Sequence, residues 1–154
     1  MNDATQEAID RAICVSEQVR TGTPATRREV AILADGLNAI FERTAELWAQ
    51  RFAVPGRVTI AVREDGSKHL TLEFRRREKG WAFLIDTWTN GPRAIASTPF
   101  ENASLRLRIL AASNLAAIET KLEASETTQA LELAGAFEGA RAPLSRSTKS
   151  GGAA

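Results

Sequence analysis

The sequence predicts an α+β domain with two N-terminal helices, a three-stranded antiparallel β-meander and a long C-terminal helical segment. Three observations carry that reading. Apolar residues recur every three or four positions before Phe52 and again after Phe100, they alternate every second position between Val58 and Phe74, and Pro55-Gly56 and Asn90-Gly91-Pro92 punctuate the changes of period.

The first helix is expected over residues 4–20. Asp3 with Gln6 forms a capping-box pattern, and Ala8, Ala12, Val15 and Val19 fall on one helical face. Thr21-Gly22-Thr23-Pro24 interrupts it. Two signals restart the helix, Pro24 as a first helical residue and Thr26 with Glu29 as a second capping box. The second helix then extends to about Phe52. It carries one seam, Val30, Leu33, Leu37, Ile40 and Leu47, beside a ridge of Ala34, Phe41 and Trp48 at seven-residue spacing. A helix of this length spans roughly 42 Å against roughly 26 Å for an eight-residue strand, so a three-stranded sheet alone cannot bury it. Either Gly36 breaks it or its overhang packs on another helix or another subunit.

Strand one alternates as Val58, Ile60, Val62 and strand two as Leu70, Leu72, Phe74, with Asp65-Gly66-Ser67 between them. Trp81 to Trp88 is apolar on both parities, as in a strand covered on both faces. Keeping the apolar side chains on one face pairs Val62 with Leu70, Ile60 with Leu72 and Val58 with Phe74, which requires a three-residue loop or a bulge. A tight turn at Glu78-Lys79 pairs Phe74 with Phe83 and Leu72 with Ile85. The outer face then reads as four rows: Arg57-Arg75-Ala82, Thr59-Glu73-Leu84, Ala61-Thr71-Asp86 and Arg63-His69-Trp88.

Arg93 to Ser97 is an edge strand or a loop. Thr98-Pro99-Phe100-Glu101 signals the start of helix three, whose stripe is Leu107, Leu110, Ala111, Leu115, Ile118 and Leu122. Past Ser125 the helix either continues or restarts. Residues 1–138 form one domain, and 139–154, rich in Gly, Ser, Pro and Ala, read as a disordered tail.

Composition narrows the function classes. The 154 residues hold 20 Lys plus Arg against 19 Asp plus Glu, one His, one Cys and no Tyr. The near-zero balance steers the chain toward no nucleic acid or anionic membrane globally. Cys14 has no partner for an internal disulfide or a thiolate metal site, and it sits among apolar neighbours as a small hydrophobe. The acidic N-terminus and the lack of a long apolar run point to a cytoplasmic location without membrane association. No phosphate loop, nucleophile elbow or metal spacing is present, so no catalytic residue, metal or cofactor is assigned.

Two surfaces remain as binding candidates. On the outer sheet face Arg63, His69, Leu84, Asp86 and Trp88 form the most site-like group, with a cation to stack on the indole and a carboxylate to hold the imidazole. The competing explanation is that a helix or second subunit covers Leu84 and Trp88. On the hairpins Lys68, Arg75, Arg77 and Lys79 with Trp81 offer a weak nucleic-acid surface, although alternation scatters the basic run over both faces. The sequence therefore favours a non-catalytic protein-binding or adaptor protein, self-associating as a homo-oligomer, with a basic-hairpin nucleic-acid module as the alternative.

Overall fold

The computed structural model describes residues 3–63 and 65–153, with side-chain surroundings as far as Arg146. Helix α1 (Asp3–Arg20) and helix α2 (Arg27–Arg51) form an antiparallel hairpin. Of the two restart signals, Thr26 is the cap: the Glu29 carboxylate accepts from its backbone N–H at 2.8 Å, and Pro24 lies in the linker. Gln6 donates to Asp10 at 2.9 Å and accepts from Arg43 at 3.1 Å, so its side chain ties α1 to α2. Gly36 does not break α2. It is where the helices cross, because any side chain there would collide with Ala12 Cβ.

Strands β1 (Gly56–Val62), β2 (His69–Arg77), β3 (Gly80–Trp88) and β4 (Ala94–Pro99) form one antiparallel sheet in that order. The sheet thus has four strands where three were predicted. Ala94 to Pro99 was ambiguous because it is short, small-residued and bounded by prolines, and such a segment is stable only as an edge. The pairing of β2 with β3 matches the predicted register, with Phe74 opposite Phe83, Leu72 opposite Ile85 and His69 opposite Trp88.

The β1 register differs from the prediction by two residues before a bulge and by one after it. Val58 faces Leu72, Gly56 faces Phe74, and a bulge between Thr59 and Ala61 sets Ala61 opposite Leu70 and Val62 opposite His69. Val62 consequently points outward and is 64% exposed. At the other end of the strand the chain packs closely, and a Cβ on Gly56 would come within 2.7 Å of Leu122 Cδ2.

Pro99 does not start helix three. Phe100–Asn102 makes a single 3-10 turn, and α3 (Leu105–Ser113) begins behind Ser104, whose Oγ accepts from the Leu107 N–H at 3.3 Å. Asn114 separates α3 from α4 (Leu115–Ala153). Helix α4 passes Ser125 without a break and continues through 139–153, where composition predicts no regular structure. Every residue from Thr127 to Arg146 is exposed, so this stretch projects from the domain.

The core lies on one face of the sheet. Phe41, Trp48 and Phe52 of α2, Leu72 and Phe74 of β2, Phe83 and Ile85 of β3, Phe100, and Ile118 and Leu122 of α4 are all buried in one cluster. The Phe41 and Phe100 rings stack at 3.6 Å. Salt bridges from Arg51 to Glu119 (2.7 Å) and Glu123 (2.5 Å) fasten α4 to the C-terminal end of α2, where Glu126 accepts from the N–H groups of Ala53 and Val54.

Candidate functional site

The face of the sheet away from the core carries three complete rows, Arg57-Glu73-Leu84-Pro99, Thr59-Thr71-Asp86-Ser97 and Val62-His69-Trp88-Ala94. Of the predicted residues, His69, Leu84, Asp86 and Trp88 all lie on this face. The His69 and Trp88 rings are stacked, 6.1 Å apart and within 8° of parallel. Arg63 is not part of the group. It is exposed beside Asp65 at 3.9 Å, and the guanidinium over the Trp88 ring, at 4.3 Å, belongs to Arg57. The register shift of β1 makes this exchange.

Asp86 does not hold the imidazole. It is 2% exposed, accepts from the Ser97 hydroxyl, and is hydrogen-bonded to Glu73 on the neighbouring strand. Burial, this hydrogen bond and the charge of Asp86 push the Glu73 carboxyl up to about 7, against the opposing pull of Arg75 and Arg57. Arg75 donates to Ser97 at 3.0 Å and lies 3.7 Å from Glu73, and the Trp88 indole N–H donates to the Thr71 hydroxyl at 2.8 Å. Leu84 is 1% exposed within this face, so it needs no second subunit to cover it. Sequence reasoning missed Glu73, Arg57 and Ser97. The diagonal of Glu73 to Asp86 was implicit in the correct pairing of β2 with β3, whereas Ser97 required the fourth strand. Among the described residues no group of three or more His, Cys, Asp or Glu side chains is placed to hold a metal ion.

The basic hairpin is arranged less favourably for stacking on bases. Trp81 stacks on Phe74 at 4.9 Å, and the Arg75 guanidinium is bonded to Ser97. Arg77 and Lys79 are exposed near the tip and line a cleft of about 510 Å³ with Trp81 and Phe100, in which Glu42, Glu46 and Glu101 offset the positive charge. Lys68 lies in the loop between β1 and β2, away from that cleft.

A third surface emerges from the helices. The predicted ridge of α2, Phe41 and Trp48, faces the sheet and is buried, but the seam beside it is not: Val30 is 44% exposed, Ile40 38% and Leu47 53%. Leu33, Leu37 and Ile40 of this seam join Ile9 and Ile13 of α1 around a groove of about 470 Å³, with Ala12 and Gly36 at its floor. Ile13 is 54% exposed. Side chains that the 3.6-residue period marks as core thus line an open apolar groove on the arm made by α1 and the N-terminal half of α2. Glu17 and Arg20 close its margin.

No family model, curated protein or solved structure matches the chain. Among the described residues no helix is long and apolar enough to cross a membrane.

Proposed function

We propose that the chain is a non-catalytic protein-binding or adaptor protein that self-associates, and that the groove between α1 and α2 is its contact surface. The observation that carries this reading is one continuous apolar strip in which Ile13 and Ile40 are exposed and Leu33 and Leu37 are half-buried beside them. Apolar side chains at helical spacing are costly to leave in water, at about 25 cal/mol per Å², and contiguous strips of them mark contact surfaces. The overhang of α2 beyond the sheet supports it too, since α1 covers only one side of that overhang. The outer sheet face supports a structural role for itself: Asp86, Ser97, Arg75, Thr71 and Trp88 are engaged in hydrogen bonds within it and Leu84 is already covered. Trp81 held against Phe74 weighs against the nucleic-acid alternative.

Sedimentation of the full chain and of Ile13→Glu tests the reading. The wild type is expected to form a species of at least twice 16.7 kDa as concentration rises, and the variant to remain monomeric with unchanged circular dichroism. A wild type that stays at one chain mass up to its solubility limit removes self-association. An Ile13→Glu variant that assembles like the wild type removes the groove.

A further inference from the structure

We propose that the edge of β3 at residues 80–83 receives an extended peptide of a partner protein whose side chains are alternately basic and acidic. The inference rests on the protein-binding reading and not on self-association through the α1–α2 groove. Strand β4 lies beside β3 from Trp88 to Leu84 and ends there with Pro99, while β3 runs on to Gly80. Beyond Pro99 the chain turns away, and the Phe100 ring is buried against Phe41. Among the described residues, 80–83 are therefore paired with β2 on one side and with no strand on the other. In an antiparallel sheet alternate residues turn their N–H and C=O to alternate neighbours, so this stretch, about 13 Å long, presents main-chain groups to which a further strand can bond.

Two cavities flank this edge. The cleft of about 510 Å³ is lined by Trp81, Ala82 and Phe83 in succession. Consecutive side chains of a strand point to opposite faces, so lining by all three marks the edge of β3 and not one of its faces. Glu42 and Glu46, one turn apart on α2, form another wall of the cleft. A second cavity, of about 720 Å³, shares Arg77, Lys79, Trp81, Ala82 and Glu101 with the first and adds Arg75 and Arg76. Glu42, Glu46, Arg76, Arg77 and Lys79 are all exposed, and among the described residues none of them forms an ion pair within the chain. On β1, the other edge strand, Lys121 Nζ already donates to the Arg57 carbonyl at 2.7 Å.

Register assigns the charges. A peptide residue opposite Trp81 shares its face, the core side of the sheet, where α2 presents Glu42 and Glu46. A lysine or arginine there lays its stem along the indole and brings its head to the two glutamates. The next residue, opposite Ala82, points to the outer side, in the row of Arg75 and Ala82 and beside Arg77, which suits a carboxylate. A uniformly acidic strand would oppose Glu42 and Glu46, and a uniformly basic one would oppose Arg75 and Arg77. Main-chain bonds supply the affinity of such an added strand, and the two unlike walls supply its selectivity.

An acetylated and amidated hexapeptide of alternating lysine and glutamate, titrated into the full chain and followed by amide NMR, is the probe. It is expected to shift the amides of residues 80–83 and to slow their exchange. Glu42→Gln combined with Glu46→Gln, both at exposed sites, is expected to weaken binding about fivefold, the effect of losing two exposed ion pairs. A peptide of three lysines followed by three glutamates, equal in composition, is expected to bind about fivefold more weakly as well. The probe N-methylated at its lysines or, separately, at its glutamates is expected to lose binding in at least one case, because alternate residues of a strand turn their N–H to one neighbour. No binding up to the solubility limit overturns the inference, as do shifts confined to other residues or a double variant that binds like the wild type. Equal binding by the block peptide, by both methylated peptides or by free lysine overturns it too, the last by making the cleft a small-molecule site. Sedimentation of the same samples reads self-association separately: a monomer that binds the peptide removes the groove and keeps the inference, and a dimer that does not bind it does the reverse.

Discussion

Glu73 and Asp86 lie diagonally across the β2–β3 pair with their carboxyl groups hydrogen-bonded to each other, on a face whose nearest cations are Arg57 and Arg75. Two carboxylates this close are stable together only while one keeps a proton. The folded chain holds that proton on Glu73 up to a pH of about 7, whereas the unfolded chain releases it near 4.5. Between these values the native state binds more protons than the unfolded state, so this pair makes stability fall as pH rises.

Glu73→Gln should remove that pH dependence. Glutamine keeps a donor for Asp86 without the second charge, and the variant should gain about 1 kcal/mol over the wild type above pH 8, after allowance for solvent screening. Urea denaturation at pH 4.5 and pH 8.5 checks it. The account expects near-equal stabilities at the lower pH and a gain only at the higher one.

The core makes a larger demand. Phe41 is 3% exposed, stacked on Phe100 and edge-on to Phe83 at 5.0 Å. Phe41→Ala should cost about 3 to 5 kcal/mol, the range for truncating a buried Phe. Denaturant midpoints at constant slope measure it.

Gly36→Ala should act locally. The new methyl group collides with Ala12, so α1 must lift from α2 at a cost of about 1 to 3 kcal/mol. Because the crossing fastens α1 to α2, amide exchange should speed up in α1 while β2 and β3 keep their protection.

Residues 139–154 should be dispensable for folding. A chain stopping at Glu138 loses Ala140, Arg141 and Arg146 but no side chain of the core cluster. Measured below the association midpoint, its melting temperature should lie within a few degrees of the full chain.

How far the sequence was legible depended on how clean each local pattern was. The pairing of β2 with β3 followed because both strands keep their phase and the Glu78-Lys79 turn leaves no slack, and this alone brought His69, Trp88, Asp86 and Leu84 to one face. Strand β1 was misplaced because its bulge shifts the phase midway, which alternation alone does not reveal. The shifted register goes with Arg57, not Arg63, over the indole. Strand β4 has almost no apolar alternation to read, so Ser97 stayed hidden. At Pro99 the start signal was genuine but produced only one 3-10 turn, since Ser104 supplies the better cap. The seam of α2 shows a different kind of failure: periodicity identifies an apolar face without saying whether the same chain covers it.

Amide hydrogen exchange of α1 as a function of protein concentration tests the central claim most directly, because it reports on the groove without altering it. If the arm is the contact surface, amides within residues 3–20 should become markedly more protected above the association midpoint, while the sheet remains unchanged. Exchange in α1 that is identical at low and high concentration, with assembly shown to occur, would place the interface elsewhere and contradict the account.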